Sequence, residues 1–151
     1  MASAALQGTA SNLSSRDRGS RAATWAGRAL SGLVVLFCLL DGAMKIPPVG
    51  PVVETMGQLG WPTDSGTSRT LAALLLGSAA FYAWPRTSLL GAVLITAYLG
   101  GAVATHARIG SPLLSHTLFG VYVGLFVWGG LWLREPRLRA LMPLAGPRRR
   151  A

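Results

Sequence analysis

Between Pro85 and Gly130 the chain carries two long apolar segments joined by a tight polar corner, and this run limits the available folds more than any other feature. Thr87 to Thr105 holds about nineteen residues without a charge, roughly the length of helix that crosses a bilayer core. Ile109 to Leu133 holds about twenty-five, with His116 as its only ionisable group. The corner contains His106, Arg108, Gly110, Ser111 and Pro112. Ser111 suits an N-cap and Pro112 the first helical position, so the sequence predicts a new helix there. Both histidines of the chain lie beside this corner.

Apolar residues make up 51% of the 151-residue chain and charged residues 13%. A soluble domain carries about a quarter charged residues, so a deficit gathered into segments indicates a single membrane domain. The net charge of +9 does not point to nucleic acid, because of its placement. Arg16, Arg18, Arg21 and Arg28 flank the first apolar segment, Arg86 sits in a turn, and six arginines follow Leu133. Basic residues at alternate ends of apolar segments orient a membrane protein, whereas a soluble nucleic-acid binder needs a basic face beside a separate core. The lone Cys38 excludes an internal disulfide, a CxxC pair and a zinc-thiolate site.

Residues 1–23, rich in Ser, Ala, Gly and Arg without apolar period, read as a disordered basic leader. The long apolar stretch after Arg28 lacks a signal-peptide cleavage site, so an uncleaved first span is expected at about Thr24 to Ile46. Asp41 and Lys45 near its end stand four apart, acid first, the favourable order for a helical ion pair. Pro47 and Pro48 stop that helix. Val52, Val53, Met56 and Leu59 recur at helical spacing before Gly60 and Pro62. They predict a short amphipathic helix on the membrane surface, with an ordered loop as the alternative. Thr70 to Pro85 is a second span of about sixteen residues, or about 24 Å, short enough to need the Ser and Thr before it. The Arg86 turn makes an antiparallel hairpin of the second and third spans. The third runs from Thr87 to about His106 and the fourth from Pro112 to Leu133. The segment from Arg134 to Leu144 suits a short surface helix, and residues 141–151 form a basic tail whose Arg148 to Arg150 would attract anionic lipid.

The expected architecture is therefore an all-α, four-helix membrane bundle spanning residues 24–140, with the amphipathic helix in its first outer loop. Both termini and Arg86 fall on one side, which the basic residues mark as cytoplasmic. Ala97, Gly101 and Thr105, and separately Gly120 and Gly124, form small-residue stripes suited to close helix approach.

Asp41, Lys45, His106, Arg108 and His116 should all approach the outer membrane face, as a candidate polar pocket. Ionisable groups within spans are functional suspects. Asp41 and Lys45 could equally be a structural ion pair, and each histidine could simply bond a corner carbonyl. A neutral imidazole beside an acid could instead bind the headgroup of a quinone-like molecule. Two histidines and one aspartate could hold a metal, but no cysteine pair or helical His-x-x-x-His supports one. Cys38 reads as a small buried hydrophobe.

The motifs FCLLDGAMK at Phe37 to Lys45, GQLGWP at Gly57 to Pro62, YAWPRTSLLGAVLITAYLGGAVATHARIGSP at Tyr82 to Pro112 and WGGLWLREPRLRALMPL from Trp128 occur in order. Over about residues 25 to 144 the chain resembles the DoxX-like family of small bacterial membrane proteins. That resemblance implies a four-helix inner-membrane protein. It also implies kinship with subunits linked to quinone-dependent sulfur oxidation and to membrane oxidoreductase complexes. Many such relatives carry Ser where this chain has Asp41, and a Glu where it has about Leu75. A shared carboxylate chemistry would here be absent or move to Asp41. Quinone is the cofactor the resemblance suggests, and the bilayer, a membrane redox partner or a second copy are the partners it suggests. The rival expectation is a non-catalytic scaffold docking a partner through Gly101 or Gly120. A small-solute or proton transporter is the third, weakened by the lack of an inverted repeat.

Overall fold

Long charge-poor segments broken by Pro and Gly fold here as helices throughout. The computed structural model describes the backbone of residues 2–141 and the side chains of residues 21–140. Among the described residues there is no strand. The helices are α1 (Ala2–Ala43), α2 (Gly50–Gln58), α3 (Ser65–Ala83), α4 (Ser88–Arg108), α5 (Phe119–Arg134) and α6 (Pro136–Leu141), with a π-helical turn at Leu113–Thr117 ahead of α5. The basic residues Arg148 to Arg150 lie outside the described residues.

Three stretches are long and apolar enough to cross a bilayer: Arg21–Ala43, Ser88–Arg108 and Leu113–Arg134. The expected second span, α3, has 19 residues, or about 28 Å. Its first turns carry Ser65, Thr67, Ser68, Arg69 and Thr70, which lower its hydropathy. It starts ahead of Thr70, as the shortness of its apolar part required.

Helix α1 begins at Ala2, where a disordered leader ending at residue 23 was expected. No proline interrupts the chain before Pro47, so the helix of the first span runs back unbroken through the leader.

Helix α2 turns Met56 inward with Val52, Val53 and Leu59 partly covered, and leaves Glu54 and Gln58 exposed, matching the amphipathic pattern. Asp64 caps α3, accepting from the Thr67 amide at 2.9 Å and from the Thr67 hydroxyl at 2.6 Å. These bonds, the hydroxyl first, hold the Asp64 carboxyl below its ordinary value of 3.8. A depressed folded value means the cap is complete above pH 3.8 and is lost as pH falls through the lower folded midpoint. Thr67→Val should move the Asp64 midpoint, read by carboxyl NMR, back toward 3.8; an unmoved midpoint would show that the hydroxyl is not the cause.

Each of α1, α3, α4 and α5 packs on two of the others: α1 on α3 and α5, α4 on α3 and α5. Between helices in lipid, close approach replaces the hydrophobic driving force. A Cβ on Gly27 would lie 2.8 Å from the Gly130 carbonyl, and one on Gly91 would meet the Tyr82 backbone. Gly120 faces Leu99 and Val103. By contrast, nothing lies within 4 Å of a Cβ on Gly101 or Gly124. Of the two expected stripes only Gly120 makes a tight helix contact. Spacing cannot tell a packed face from an open one.

Tyr82 ties three helices together. Its hydroxyl donates to the Val127 carbonyl at 2.8 Å, so the Ser31 hydroxyl, 3.0 Å away, donates to it. Arg134 lies over its ring at 4.9 Å and donates to its carbonyl. Ser31, Tyr82, Gly91 and Val127 thus mark one level of the assembly. Seven residues further from this level, about 10 Å at helical rise, come Cys38, Leu75, Tyr98 and Gly120. Another seven bring Lys45 and Ser68 level, and the Ser68 hydroxyl indeed donates to the Lys45 carbonyl at 3.0 Å. Val34, Ala79, Ala92, Ile95 and Val127 are buried between the first two levels as an apolar plug. Outside, Leu33, Leu36, Leu40, Leu90, Val93, Leu125 and Phe126 are exposed, an apolar surface that suits contact with lipid.

Candidate functional site

Above the plug the four packed helices enclose a cavity of about 540 Å³, within the range of small-molecule sites. Leu75, Tyr98 and Gly120 stand at its floor, and Val52 and Met56 of α2, with Leu59 at the C-cap of that helix, cover it. Phe37, Trp61, Leu71 and Phe119 add apolar wall. Ala97, Gly101 and Thr105 line it as well, so the α4 stripe expected to pack against a helix instead leaves room for the cavity. Helices α1 and α4 face each other across it, their backbones further apart than those of the four directly packed pairs.

Four of the five expected residues reach this cavity: Asp41, Lys45, His106 and His116. The Lys45 ammonium sits 2.6 Å from the Asp41 carboxylate, with side chains 13% and 27% exposed. The order read from the sequence thus produces an ion pair, and it lies on the cavity wall. Arg108 does something else. Its guanidinium donates to the Leu59 carbonyl at 2.7 Å and closes the C-terminal end of α2 over the site.

The corner differs from its expected form. Pro112 has ψ 124° and does not begin an α-helix. Instead the amides of Thr117 and Leu118 reach back five residues, to the carbonyls of Pro112 and Leu113. Ser111 does not cap; its hydroxyl bonds His106 Nδ1 at 3.0 Å, and its carbonyl accepts from the Thr117 hydroxyl at 3.3 Å. This π-helical turn sets His116 against His106, with ring centroids 5.9 Å apart. Such turns are frequent at functional sites. Ser115 engages His116 Nδ1 at 2.7 Å. Both histidines therefore have Nδ1 engaged, which leaves Nε2 as the ring nitrogen for a ligand. Among the described residues no group of three or more His, Cys, Asp or Glu is placed to hold a metal ion.

Sequence reading missed Tyr98. It lines the cavity at about mid-span of α4, and among the described residues its hydroxyl has no hydrogen-bond partner. A signal existed: Tyr98 stands seven residues before Thr105 and eight before His106, close to one helical face. Leu75, where relatives were expected to carry Glu, is fully buried and lines the same cavity as Asp41.

Helices long and apolar enough to cross lipid, an apolar exterior and an internal cavity define an α-helical membrane protein. The model of the DoxX-like family matches residues 29–130, a stretch that holds every residue lining the cavity, and the chain belongs to that family. No curated protein and no solved structure matches the chain significantly.

Proposed function

We propose that the chain is a four-helix protein of the bacterial inner membrane whose outer-facing cavity holds a quinone-like lipophile, and that it serves as a subunit or accessory of a quinone-linked membrane oxidoreductase. The observation that carries this reading is one apolar cavity bordered by an ion pair and two histidines. A lipophile with a hydrogen-bonding head matches that division. Its ring would contact Phe37 and Phe119, while His106, His116 and Lys45 offer donors to its oxygens.

Charge placement supports cytoplasmic termini. Arg86 and Arg137 border one small crevice at the end opposite the cavity mouth, and Arg134 bonds Tyr82 nearby. In this orientation α2 rests on the outer surface. The apolar plug supports a pocket open to one face over a transport path. Gly101 lines the cavity, which supports a ligand site there over the docking face a scaffold would use.

Organic extraction of the purified protein followed by mass spectrometry tests the reading. Wild type should release a quinone in near-stoichiometric amount. His106→Ala should release at least tenfold less and abolish quinone-dependent turnover of the complex. Quinone-free wild type, or unchanged turnover in His106→Ala, would remove the proposal.

A further inference from the structure

A cavity between membrane helices is open to the acyl chains around it, and an acyl chain would seat well against Leu75 and Phe119. Tyr98 speaks against that occupant. Tyr98 lines the cavity seven residues, about 10 Å of helix, beyond the Ser31–Tyr82 network, and among the described residues its hydroxyl makes no hydrogen bond. Covering a hydroxyl with hydrocarbon and no partner is unfavourable. Tyr82, the other inward-facing tyrosine, has both its proton and its oxygen engaged. The Asp41–Lys45 pair stands on the opposite wall, with Asp41 about 5 Å further toward the mouth. The polar groups therefore run from mouth to floor along the cavity, rather than sitting only at its rim.

We infer that Tyr98 is a ligand contact and that it selects for a lipophile entering polar end first, with one hydrogen-bonding oxygen or nitrogen seated at the floor and a second left on the mouth side for His106 and His116. The class comprises ring compounds bearing carbonyl or hydroxyl groups; phospholipid acyl chains and plain hydrocarbons are disfavoured. The inference rests on the cavity being a ligand site, as proposed above, and deepens it by fixing the ligand's orientation.

The test compares two probes of similar shape, decylbenzoquinone and decylbenzene, on detergent-exchanged full-length protein by native mass spectrometry. Wild type should carry several times more of the quinone. Tyr98→Phe removes one oxygen and should cut quinone adducts about five- to tenfold while leaving decylbenzene unchanged. Tyr122→Phe, on an exposed face of α5, serves as control and should keep the wild-type preference. An unchanged elution volume and melting temperature would show that Tyr98→Phe is folded. Quinone preference surviving in Tyr98→Phe would overturn the role of Tyr98 and leave the cavity reading standing. Equal binding of both probes by wild type would overturn polar-first entry. Failure of both probes to bind wild type would sink the cavity reading, and this inference with it.

Discussion

Gly91→Leu is expected to abolish recovery of folded protein from detergent. A Cβ at this position of α4 would fall on the backbone nitrogen and Cα of Tyr82 and close to the carbonyl carbon of Phe81. Backbone atoms within a helix cannot move aside as a side chain can, so α3 and α4 must separate. Overpacking a core costs about 1–3 kcal/mol when neighbours can adjust; here the cost should exceed about 3 kcal/mol. Separation would also displace Tyr82 from Ser31 and Val127, and with it the tie between α1, α3 and α5. Gly77→Leu and Gly100→Leu are the controls, since nothing lies within 4 Å of a Cβ at either. Size-exclusion profiles should show a sharp monodisperse peak for both controls and aggregate for Gly91→Leu. A normal peak for Gly91→Leu would mean that the α3–α4 approach is wrong.

Lys45→Met is expected to lower stability by about 2 kcal/mol, and Asp41→Leu together with Lys45→Met to recover most of it. Removing one member of a fully buried pair costs about 3–5 kcal/mol, because the other charge is left without compensation. Asp41 keeps 27% exposure, so the cost here is smaller. Removing both charges leaves apolar wall against apolar wall, which membrane surroundings tolerate. The double variant also separates the two roles of the pair. A structural pair predicts that it melts like wild type and still carries the bound lipophile; a ligand-binding pair predicts wild-type melting with the lipophile lost. The cavity lining favours the second outcome. Melting in detergent and mass spectrometry of the extract decide it. Retention of the lipophile by a stable double variant would return Asp41 and Lys45 to a purely structural role.

The histidine pair shows where local reading stops. Ser111 and Pro112 are a good start signal for an α-helix, yet Ser111 bonds His106 and the chain takes a π-helical turn before α5. Capping preference is worth about 1 kcal/mol, and a competing side-chain hydrogen bond of similar size within the corner, from Ser111 to His106 five residues back, can replace it. Arg108 was grouped with the pocket because it lies at the helix corner expected on the outer membrane face. On the helix, residues two apart face different ways, and Arg108 reaches α2 instead. Tyr98 is not among the residues the sequence singled out; only its surroundings show that, among the described residues, its hydroxyl makes no hydrogen bond.

Length and charge placement along the sequence determined that lipid surrounds much of this chain, that Arg86 sits in a helical hairpin and that Val52, Val53, Met56 and Leu59 share one face of a short helix. These properties follow from transfer energies and helical periodicity, which act residue by residue and need no knowledge of neighbours. The cavity was decided by tertiary structure alone. It exists because Gly27, Gly91 and Gly130 draw the helices together at one end while Ala97 and Gly101 leave space at the other. The same small side chains produce contact or void according to what stands opposite, and that depends on the register of separate helices.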